Sequence, residues 1–220
     1  MISSADQERT VSYARIAIIV IAVIQGVGLI GLNSAHYHSD FEQATSGNLL
    51  LSFLLVMGFA RPLDYRLLVF CGFAFSVGMV AEIVGVHTGI PFGRYYYTDL
   101  LGAKLIQVPV IIGINWLLLT YAIGVTMSRH FREGWWQVVA AAAIMTGLDM
   151  LLERFAIAHH LWVWQDGVPP VQNYLSWFVI SLVIEAVLLL WVRPVRNAVA
   201  AFYLLILVLF LAADLAIRTF

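Results

Sequence analysis

Two carboxylic acids in one apolar stretch, Asp149 and Glu153, are the residues of this sequence best placed to do chemistry. In a helix, their spacing of four puts both side chains on one face. Two like charges this close are expected to leave one carboxyl protonated and the other ionised. Such a pair can divide the roles of general acid and general base. The adjacent Arg154 offers the alternative of a salt bridge at the helix end.

A third acid, Glu82, lies in another apolar stretch, and helix-breaking residues follow it: Gly85, Gly89, Pro91 and Gly93. A carboxylate at the centre of a membrane helix costs about 2.5–3.5 kcal/mol on insertion scales. Irregular backbone near membrane depth persists only where protein or a wet cavity covers it. The sequence therefore predicts a buried polar pocket beside Glu82. The alternative is that Glu82 pairs with Arg94 or caps the broken helix.

Aromatic side chains lie in the loops that follow these acids. Tyr95 and Tyr97 come after Glu82, and Trp162 and Trp164 come after Glu153. The two tryptophans alternate, so both rings point to one side if the segment is extended. An indole face attracts a cation, which makes these rings candidate substrate contacts. Alternatively, the tyrosines and tryptophans form an aromatic belt or anchor at the membrane interface.

Two amides, Asn115 and Asn173, lie in or at the end of apolar stretches, and Trp116 follows the first of them. An amide such as Asn115 can bond a neighbouring helix without any further role. Asn173 could serve as an N-cap or as a polar residue at a helix N-terminus. We predict that both amides converge with the three acids on one cavity, near the outer ends of the third to sixth helices, and that they bind the substrate together with Trp116.

Seven apolar runs must position these groups. They cover residues 14–32, 47–60, 65–86, 105–127, 135–157, 174–192 and 198–216. The second run is short, and its helix could start nearer Phe41. The 220 residues are 62% hydrophobic and only 11% charged, against about 25% charged for a soluble domain. A membrane span needs about 20 apolar residues. We therefore expect residues 1–220 to form a single integral membrane domain.

The basic residues of the loops predict the orientation. Eight arginines flank alternate turns on one side: Arg9, Arg15, Arg61, Arg66, Arg129, Arg132, Arg193 and Arg196. The other side has Arg94, Lys104, Arg154 and Arg218. We expect an all-α polytopic protein of the cytoplasmic membrane, with seven transmembrane helices and a cytoplasmic N-terminus. The irregular, motif-bearing loops 33–46, 87–104 and 154–173 then lie on the outer side.

Several functional classes do not fit the composition. The net charge of −1 gives no reason to expect nucleic acid, and the single Cys71 lies in an apolar run, which disfavours a catalytic thiol. A retinal protein needs a lysine in its last helix, whereas the sole lysine is Lys104. The six histidines lack di-iron spacing, and no convincing metal-ligand set or P-loop occurs. Among the remaining intramembrane acids, Asp214 is expected to pair with Arg218 in a structural role, and Glu185 lies in the sixth run.

Taken together, these segments resemble the membrane carotenoid 1,2-hydratases of the CruF type, which include the hydratases of γ-carotene and bisanhydrobacterioruberin. The resemblance extends from the third apolar run through the sixth. It rests on Glu82 with residues 89–97 (Gly-Ile-Pro-Phe-Gly-Arg-Tyr-Tyr-Tyr), Val108-Pro109 before Asn115-Trp116, Asp149, Trp162-Val163-Trp164, and Pro170-Val171-Gln172-Asn173 with Trp177. That family usually has a second Asp followed by Pro after Asp149, where this chain has Glu153-Arg154, and the chain is short for the family.

The resemblance implies addition of water, without a cofactor, to the terminal C=C of an acyclic carotenoid end group, giving a tertiary alcohol. The partners would be water and a hydrophobic carotenoid that enters from the bilayer. Protonation of an isolated alkene needs a positioned acid in a dry site. Because Arg154 beside it should keep Glu153 ionised, and Asp149 lies one turn deeper, we expect Asp149 to be the proton donor. Glu82 or Glu153 would direct water, and Trp162 and Trp164 would form walls for the cation.

Other functions stay open at this stage. An intramembrane prenyltransferase would hold a diphosphate through Mg²⁺ on clustered acids, of which Asp149 and Glu153 would be one cluster. An end-group cyclase would use the same carbocation without capturing water. Broken helices and midplane acids also fit a transporter or a non-catalytic carotenoid-binding protein. Assembly into a homo-oligomer is compatible with each of these functions.

Overall fold

The computed structural model describes residues 4–128, 134–193 and 197–219, with the backbone alone for residues 4–9 and 219. Seven α-helices occur in this part of the chain. They are α1 (Ser4–Leu32), α2 (His38–Met57), α3 (Tyr65–Thr88), α4 (Val110–Met127), α5 (Trp135–Ala158), α6 (Val171–Ala186) and α7 (Ala198–Thr219). A π-helical segment, Val187–Val192, continues α6. The predicted number of seven helices is therefore confirmed, with different bounds, while seven membrane spans stay a prediction.

Five segments are long and apolar enough to cross a membrane, and they belong to α1, α3, α4, α7 and α6 with its π-helical continuation. The protein is therefore an integral membrane protein by the length and composition of its helices. Helices α2 and α5 lie outside this set. The first half of α2 is polar, and α5 carries the two acids Asp149 and Glu153.

Helix α4 is the centre of the bundle. It contacts α2, α3, α5, α6 and α7, and 78% of its most apolar window is buried. Helix α1 instead packs at the periphery against α2 and α7. A polar residue on α4 therefore faces other helices rather than lipid, which places Asn115 and Trp116 in the interior of the bundle.

The loops that join α3 to α4 and α5 to α6 are more ordered than predicted. Strand β1 (Tyr95–Tyr97) pairs antiparallel with β4 (Trp162–Trp164), and β2 (Lys104–Leu105) pairs with β3 (Val108–Pro109). A 3₁₀ turn, Asp99–Leu101, lies between β1 and β2. The expectation of irregular loops was wrong here because distant loop segments pair with each other, which no local pattern shows.

Two helix bounds differ from the apolar runs for identifiable reasons. Helix α3 continues through Gly85 to Thr88 and ends at Gly89, whose φ of 76° is the left-handed conformation that favours glycine. Helix α4 begins at Val110 rather than near Leu105, because β2 and β3 form a hairpin. Its two turn residues, Ile106 and Gln107, have φ of 48° and 67°, as the tightest hairpin turns require.

Some of the arginines on which the predicted orientation depends lie outside the described part of the chain, namely Arg129, Arg132, Arg196 and the side chain of Arg9. The structure contains no membrane, and the side on which each loop lies stays a prediction. It does place the strands and loops between α3 and α4 and between α5 and α6 at one end of the bundle, because α3 and α5 end there and α4 and α6 begin there. We call this the loop end; it contains β1, β4 and the chain on either side of them.

Candidate active site

The pairing of β1 with β4 builds one wall of the site. Tyr95 is opposite Trp164, and Tyr97 is opposite Trp162. Because side chains alternate along a strand, these four rings share one face, while Tyr96 points away and is 57% exposed. The ring centroids of Tyr95 and Trp164 are 4.9 Å apart, and those of Tyr97 and Trp162 are 5.8 Å apart. The prediction that both tryptophans point to one side is confirmed.

Glu82 on α3 is buried under this wall and accepts three hydrogen bonds. The hydroxyls of Tyr95 and Tyr97 both donate to its Oε2, the latter at 2.8 Å. The indole nitrogen of Trp116 donates to Oε1 at 3.0 Å. In the described chain Glu82 makes no ion pair with Arg94, which is exposed, so the alternative of a Glu82–Arg94 salt bridge is wrong.

Trp116 reaches Glu82 because α3 and α4 approach closely at Gly78. A side chain at Gly78 would place its Cβ only 2.7 Å from the Cβ of Trp116. On its other side Trp116 stacks against Trp177 of α6, with ring centroids 4.0 Å apart and planes 19° from parallel. Trp116 is therefore fixed between α3 and α6, where its main contact with the site is the hydrogen bond to Glu82.

Burial and the neighbouring charge of Glu82 raise the pKa of the Tyr95 and Tyr97 hydroxyls well above the ordinary value. Both phenols therefore stay protonated and donate to Glu82 across the whole physiological pH range. Because Tyr95 and Tyr97 are only 8% and 7% exposed, they belong to the interior and not to an interfacial belt.

Asn173 connects the two acids of α5. Its amide nitrogen donates to Asp149 Oδ2 at 2.9 Å and lies 3.4 Å from Glu153 Oε1. The other oxygen of Asp149, Oδ1, is buried and makes no hydrogen bond within the described chain. Helix α6 starts with Pro170 as its N-cap, so Asn173 lies in the first turn and the N-cap role is wrong. Its position lets the side chain turn inward to α5.

Glu153 is held by the tryptophans of β4. Its Oε2 accepts from the indole nitrogens of Trp162 at 2.9 Å and Trp164 at 2.7 Å. Arg154 is exposed and forms no ion pair with Glu153 in the described chain, because adjacent residues of a helix point in different directions. The expectation that Arg154 keeps Glu153 ionised was therefore based on the wrong neighbour.

These groups surround a small cavity of about 20 Å³, which is room for about one water molecule. Polar residues on its wall are Glu82, Asn115, Asp149, Glu153 and Asn173, and aromatic ones are Tyr95, Tyr97, Trp162 and Trp164. The structure thus brings together every residue singled out as catalytic or substrate-binding except Trp116, which lies behind Glu82. No Lys, Arg or His is found on this wall within the described chain.

Four lining residues were not singled out from the sequence as site residues: Phe92, Ile112, Leu152 and Trp177. Helical spacing could have indicated two of them. Trp177 is four residues from Asn173, and Leu152 is three from Asp149, so each shares a face with a residue already identified. Phe92 is brought in by the loop after α3, which α6 holds through bonds from Gln172 and Ser176 to the Pro91 carbonyl at 2.6 and 2.8 Å.

Asn115 differs from the other polar residues of the cavity. Its side chain makes no hydrogen bond to any residue of the described chain, although Asn115 lies on the central helix. The alternative of an interhelical hydrogen bond therefore does not apply to that part of the chain. The amide is left available for a molecule that enters the cavity.

A second set of ionisable residues at the loop end, which we call the ion-pair cluster, contains His38, Glu42, His159, Asp214 and Arg218. Asp214 accepts from His159 at 3.1 Å and from Arg218 at 3.2 Å, so the predicted Asp214–Arg218 pair is confirmed. The candidate ligand atoms of His38, Glu42 and His159 lie within 4.8 Å of one another, which is close enough for a metal ion. However, Arg218 Nη2 is only 3.0 Å from His159 Nε2, and its charge opposes a cation there.

Sequence spacing did not indicate this trio, because His159 comes from a different helix end than His38 and Glu42. Glu185, the remaining acid of α6, is buried and makes no hydrogen bond within the described chain. It does not line the acid cavity. The structure therefore separates the three acids of the cavity from the other buried acids.

The fold and the site together define a class: a helical integral membrane protein with a small, buried acid cavity walled by aromatic rings. A family model described as "Carotenoid biosynthesis protein" matches residues 46–219, which is most of the chain. The chain belongs to this carotenoid biosynthesis family. Family membership points to an enzyme with a carotenoid substrate. Comparison with curated proteins and with solved structures gave no match.

Proposed function

We propose that the protein hydrates the terminal C=C of an acyclic carotenoid end group and gives a tertiary alcohol. The observation that carries this proposal is that Glu82, Asp149 and Glu153 share one cavity and that, within the described chain, all their hydrogen-bond donors are neutral side chains. Acids paired with Lys or Arg are fixed as anions. Acids held by phenol, indole and amide donors can give and accept a proton.

Asp149 is the proton donor in this mechanism. Its Oδ2 is fixed by Asn173, whereas its buried Oδ1 lacks a partner within the described chain and can present a proton to the cavity. Glu153 on the same face of α5 disfavours a second negative charge at Asp149. Transfer of the Asp149 proton to C2 of the terminal alkene breaks the π bond and leaves a tertiary carbocation at C1.

The carbocation is stabilised by the aromatic wall and by Glu82. The faces of Tyr95, Tyr97, Trp162 and Trp164 attract positive charge. Glu82 lies under these rings, and its three donors fix it before the reaction begins. Charge that is positioned in advance stabilises a developing charge without reorganisation during the step.

Glu153 is the base that directs water. Glu82 has both oxygens engaged by strong donors, while Glu153 Oε1 has only the 3.4 Å contact with Asn173. Glu153 also lines a second cleft of about 500 Å³ between α5 and α7, which includes Arg154, Asp214 and Arg218. In this mechanism, water reaches Glu153 through this cleft. The water oxygen bonds to C1, its proton passes to Glu153, and proton return through water restores Asp149.

The other functions receive less support from the site. A prenyltransferase needs Lys, Arg or metal-binding acids for its diphosphate; the described cavity wall has neither Lys nor Arg, and its three acids are not grouped closely enough for a metal ion. An end-group cyclase would share the protonation step but would exclude water from the cation. The cleft beside Glu153 favours water capture over cyclisation.

Expression in a lycopene-producing bacterium tests the function. The expected pigment carries one tertiary hydroxyl per modified end group, and ¹⁸O-labelled water supplies its oxygen. Label from dioxygen would indicate an oxygenase, and a ring-containing pigment without added oxygen would indicate a cyclase. We expect activity to survive chelators and the exclusion of oxygen, because the proposed steps use only side chains and water.

We also propose a location in the cytoplasmic membrane with the loop end outside and the N-terminus in the cytoplasm. The support is the arginine distribution of the sequence. Reporter fusions after Arg132 and after Asp166 should report opposite sides. If both report the same side, the proposed transmembrane topology is wrong.

A further inference from the structure

A large apolar cleft lies beside the acid cavity, between α1, α2 and α7. Its volume is about 530 Å³, within the range of ~300–1,000 Å³ that is usual for small-molecule sites. Its wall is mostly hydrophobic, with Leu207, Phe210 and Leu211 of α7 at the back. Most polar side chains on the wall have partners in the protein: Asn48 donates to Gln25 at 3.3 Å, Thr45 to the Phe41 carbonyl at 3.2 Å and Gln43 to Ser39 at 3.4 Å, whereas Asn115 is left for a ligand.

The mouth of this cleft opens on the outer surface of the helix bundle. Val23, Val27 and Leu51 line it and are 55%, 51% and 40% exposed. They lie on α1 and α2, and the exposed side chains of a membrane-spanning helix such as α1 contact lipid. A hydrophobic molecule dissolved in the bilayer can therefore enter the cleft without passing through water.

The cleft and the acid cavity share a wall. Asn115 and Leu152 line both spaces. The acid cavity alone has room for about one water molecule, so an end group can react there only if it enters from a larger space. Asn115 has no side-chain hydrogen bond in the described chain, and Leu152 is a flexible apolar side chain, so both can move without breaking a bond.

We propose that this cleft binds the polyene chain of the carotenoid, and that Asn115 and Leu152 line the passage through which its end group reaches Asp149. The inference rests on the proposed function for the identity of the reacting end. A polyene is long, rigid and wholly apolar, which suits a cleft that is open to lipid at one end and leads to an acid at the other. Membership of the carotenoid biosynthesis family favours this occupant over a lipid acyl chain or a second copy of the protein.

Fluorescence quenching tests the site independently of the chemistry, because a polyene quenches a nearby fluorophore. Two glycines face open space at comparable depth, about ten residues or 15 Å from the loop end. Gly47 lines the cleft, whereas Gly147 lies on the exposed face of α5 outside it. A bimane label would be attached to Gly47→Cys or Gly147→Cys in a Cys71→Ala background, in nanodiscs, and titrated with lycopene.

We expect lycopene to quench the label at position 47 at least fivefold more strongly than the label at position 147. Equal quenching would overturn the proposal and would mean that acyl chains or a second protein copy cover the cleft. Hydration is measured in the same nanodiscs. Hydration without preferential quenching would refute polyene binding in the cleft and leave the proposed function intact. Preferential quenching without hydration would refute the proposed function and leave polyene binding in the cleft intact.

A blocking variant supplies a second test with a matched control on the same helix. A Cβ at Gly28 would meet Asn48 at 3.7 Å and Phe210 at 4.0 Å, so Gly28→Leu projects into the cleft at ordinary contact distances. Gly26 is exposed and has open space, and it does not line the cleft. We expect Gly28→Leu to raise KM at least tenfold and abolish the preferential quenching, and Gly26→Leu to change neither. Equal effects of the two variants would contradict the proposal.

Discussion

The acid cavity and the ion-pair cluster lie at the same end of the bundle, but their acids are held in different ways. Asp214 of the cluster is bound by Arg218 and His159, which can carry positive charge. Glu82, Asp149 and Glu153 of the cavity are bound by tyrosine, tryptophan and asparagine, which are neutral. Compensated acids stabilise a fold, while acids held by neutral donors stay available for proton transfer.

The energetic cost of burying the acids also differs between the acid cavity and the ion-pair cluster. A buried carboxylate without a cation is expensive, and in a membrane protein such a group is usually retained for function. Four donors from the aromatic wall and a fifth from Trp116 reduce this cost, because each points directly at a carboxylate oxygen. The comparison therefore predicts that substitutions in the cavity impair turnover more than stability, and that substitutions in the cluster do the reverse.

The largest effect is expected for Asp149→Asn. This change keeps the size of the side chain and its bond to Asn173 but removes the transferable proton. Because general acid catalysis contributes about 10²–10⁴-fold, hydration should fall by at least about 10²-fold. The variant should keep its expression level and its binding of lycopene, measured by polyene quenching of the Gly47→Cys label.

Glu153→Gln should have the next largest effect. The amide keeps a carbonyl oxygen for the indoles of Trp162 and Trp164 but cannot accept a proton from water. We expect a loss of about 10²-fold in hydration with little change in KM. Product analysis checks the assignment: if Glu82→Gln lowers turnover much more than Glu153→Gln does, Glu82 is the base instead.

Tyr97→Phe should have a moderate effect, and strand β1 provides its control. The change removes one donor to Glu82, and a bond to a charged group is worth about 1.5–3 kcal/mol. We expect hydration to fall about tenfold. Tyr96→Phe, on the opposite and exposed face of the same strand, should leave turnover unchanged. Equal losses for the two variants would mean that strand β1 acts only through packing.

Asp214→Asn should have the smallest effect on activity. It removes the charge that compensates Arg218 and His159 and should lower the free energy of unfolding by about 1–3 kcal/mol. Hydration by the folded protein should stay within about twofold of the original. Thermal unfolding in detergent, measured together with turnover, separates the two quantities. A stable but inactive Asp214→Asn variant would break the distinction between cluster and cavity.

The sequence predicted the number of helices and the acids of the cavity because both depend on local patterns. An acid in an apolar run, such as Glu82, is conspicuous, and a spacing of four assigns Asp149 and Glu153 to one face. The partners of these acids depend on tertiary structure. Pairing of β1 with β4 brings Tyr95 opposite Trp164, and no local signal indicates that pairing.

For the same reason, the nearest arginine in the sequence did not predict the partner of a cavity acid. Arg154 follows Glu153 directly, and Arg94 lies in the loop after Glu82, yet both side chains are exposed. The Asp214–Arg218 pair was predicted correctly because a spacing of four on one helix is itself a contact. Contacts within one helix were therefore predictable, and contacts between loops were not.

Single-turnover hydration of lycopene in deuterium oxide tests the central claim, transfer of a proton from Asp149 to the alkene. The Asp149 carboxyl exchanges with solvent before the reaction, so the product should carry one deuterium at C2 beside the new hydroxyl at C1. The Asp149→Asn protein should yield neither deuterium nor hydroxyl. If Asp149→Asn forms the deuterated alcohol at near-normal turnover while Glu82→Gln forms none, the donor is Glu82 and the account given for Asp149 is wrong.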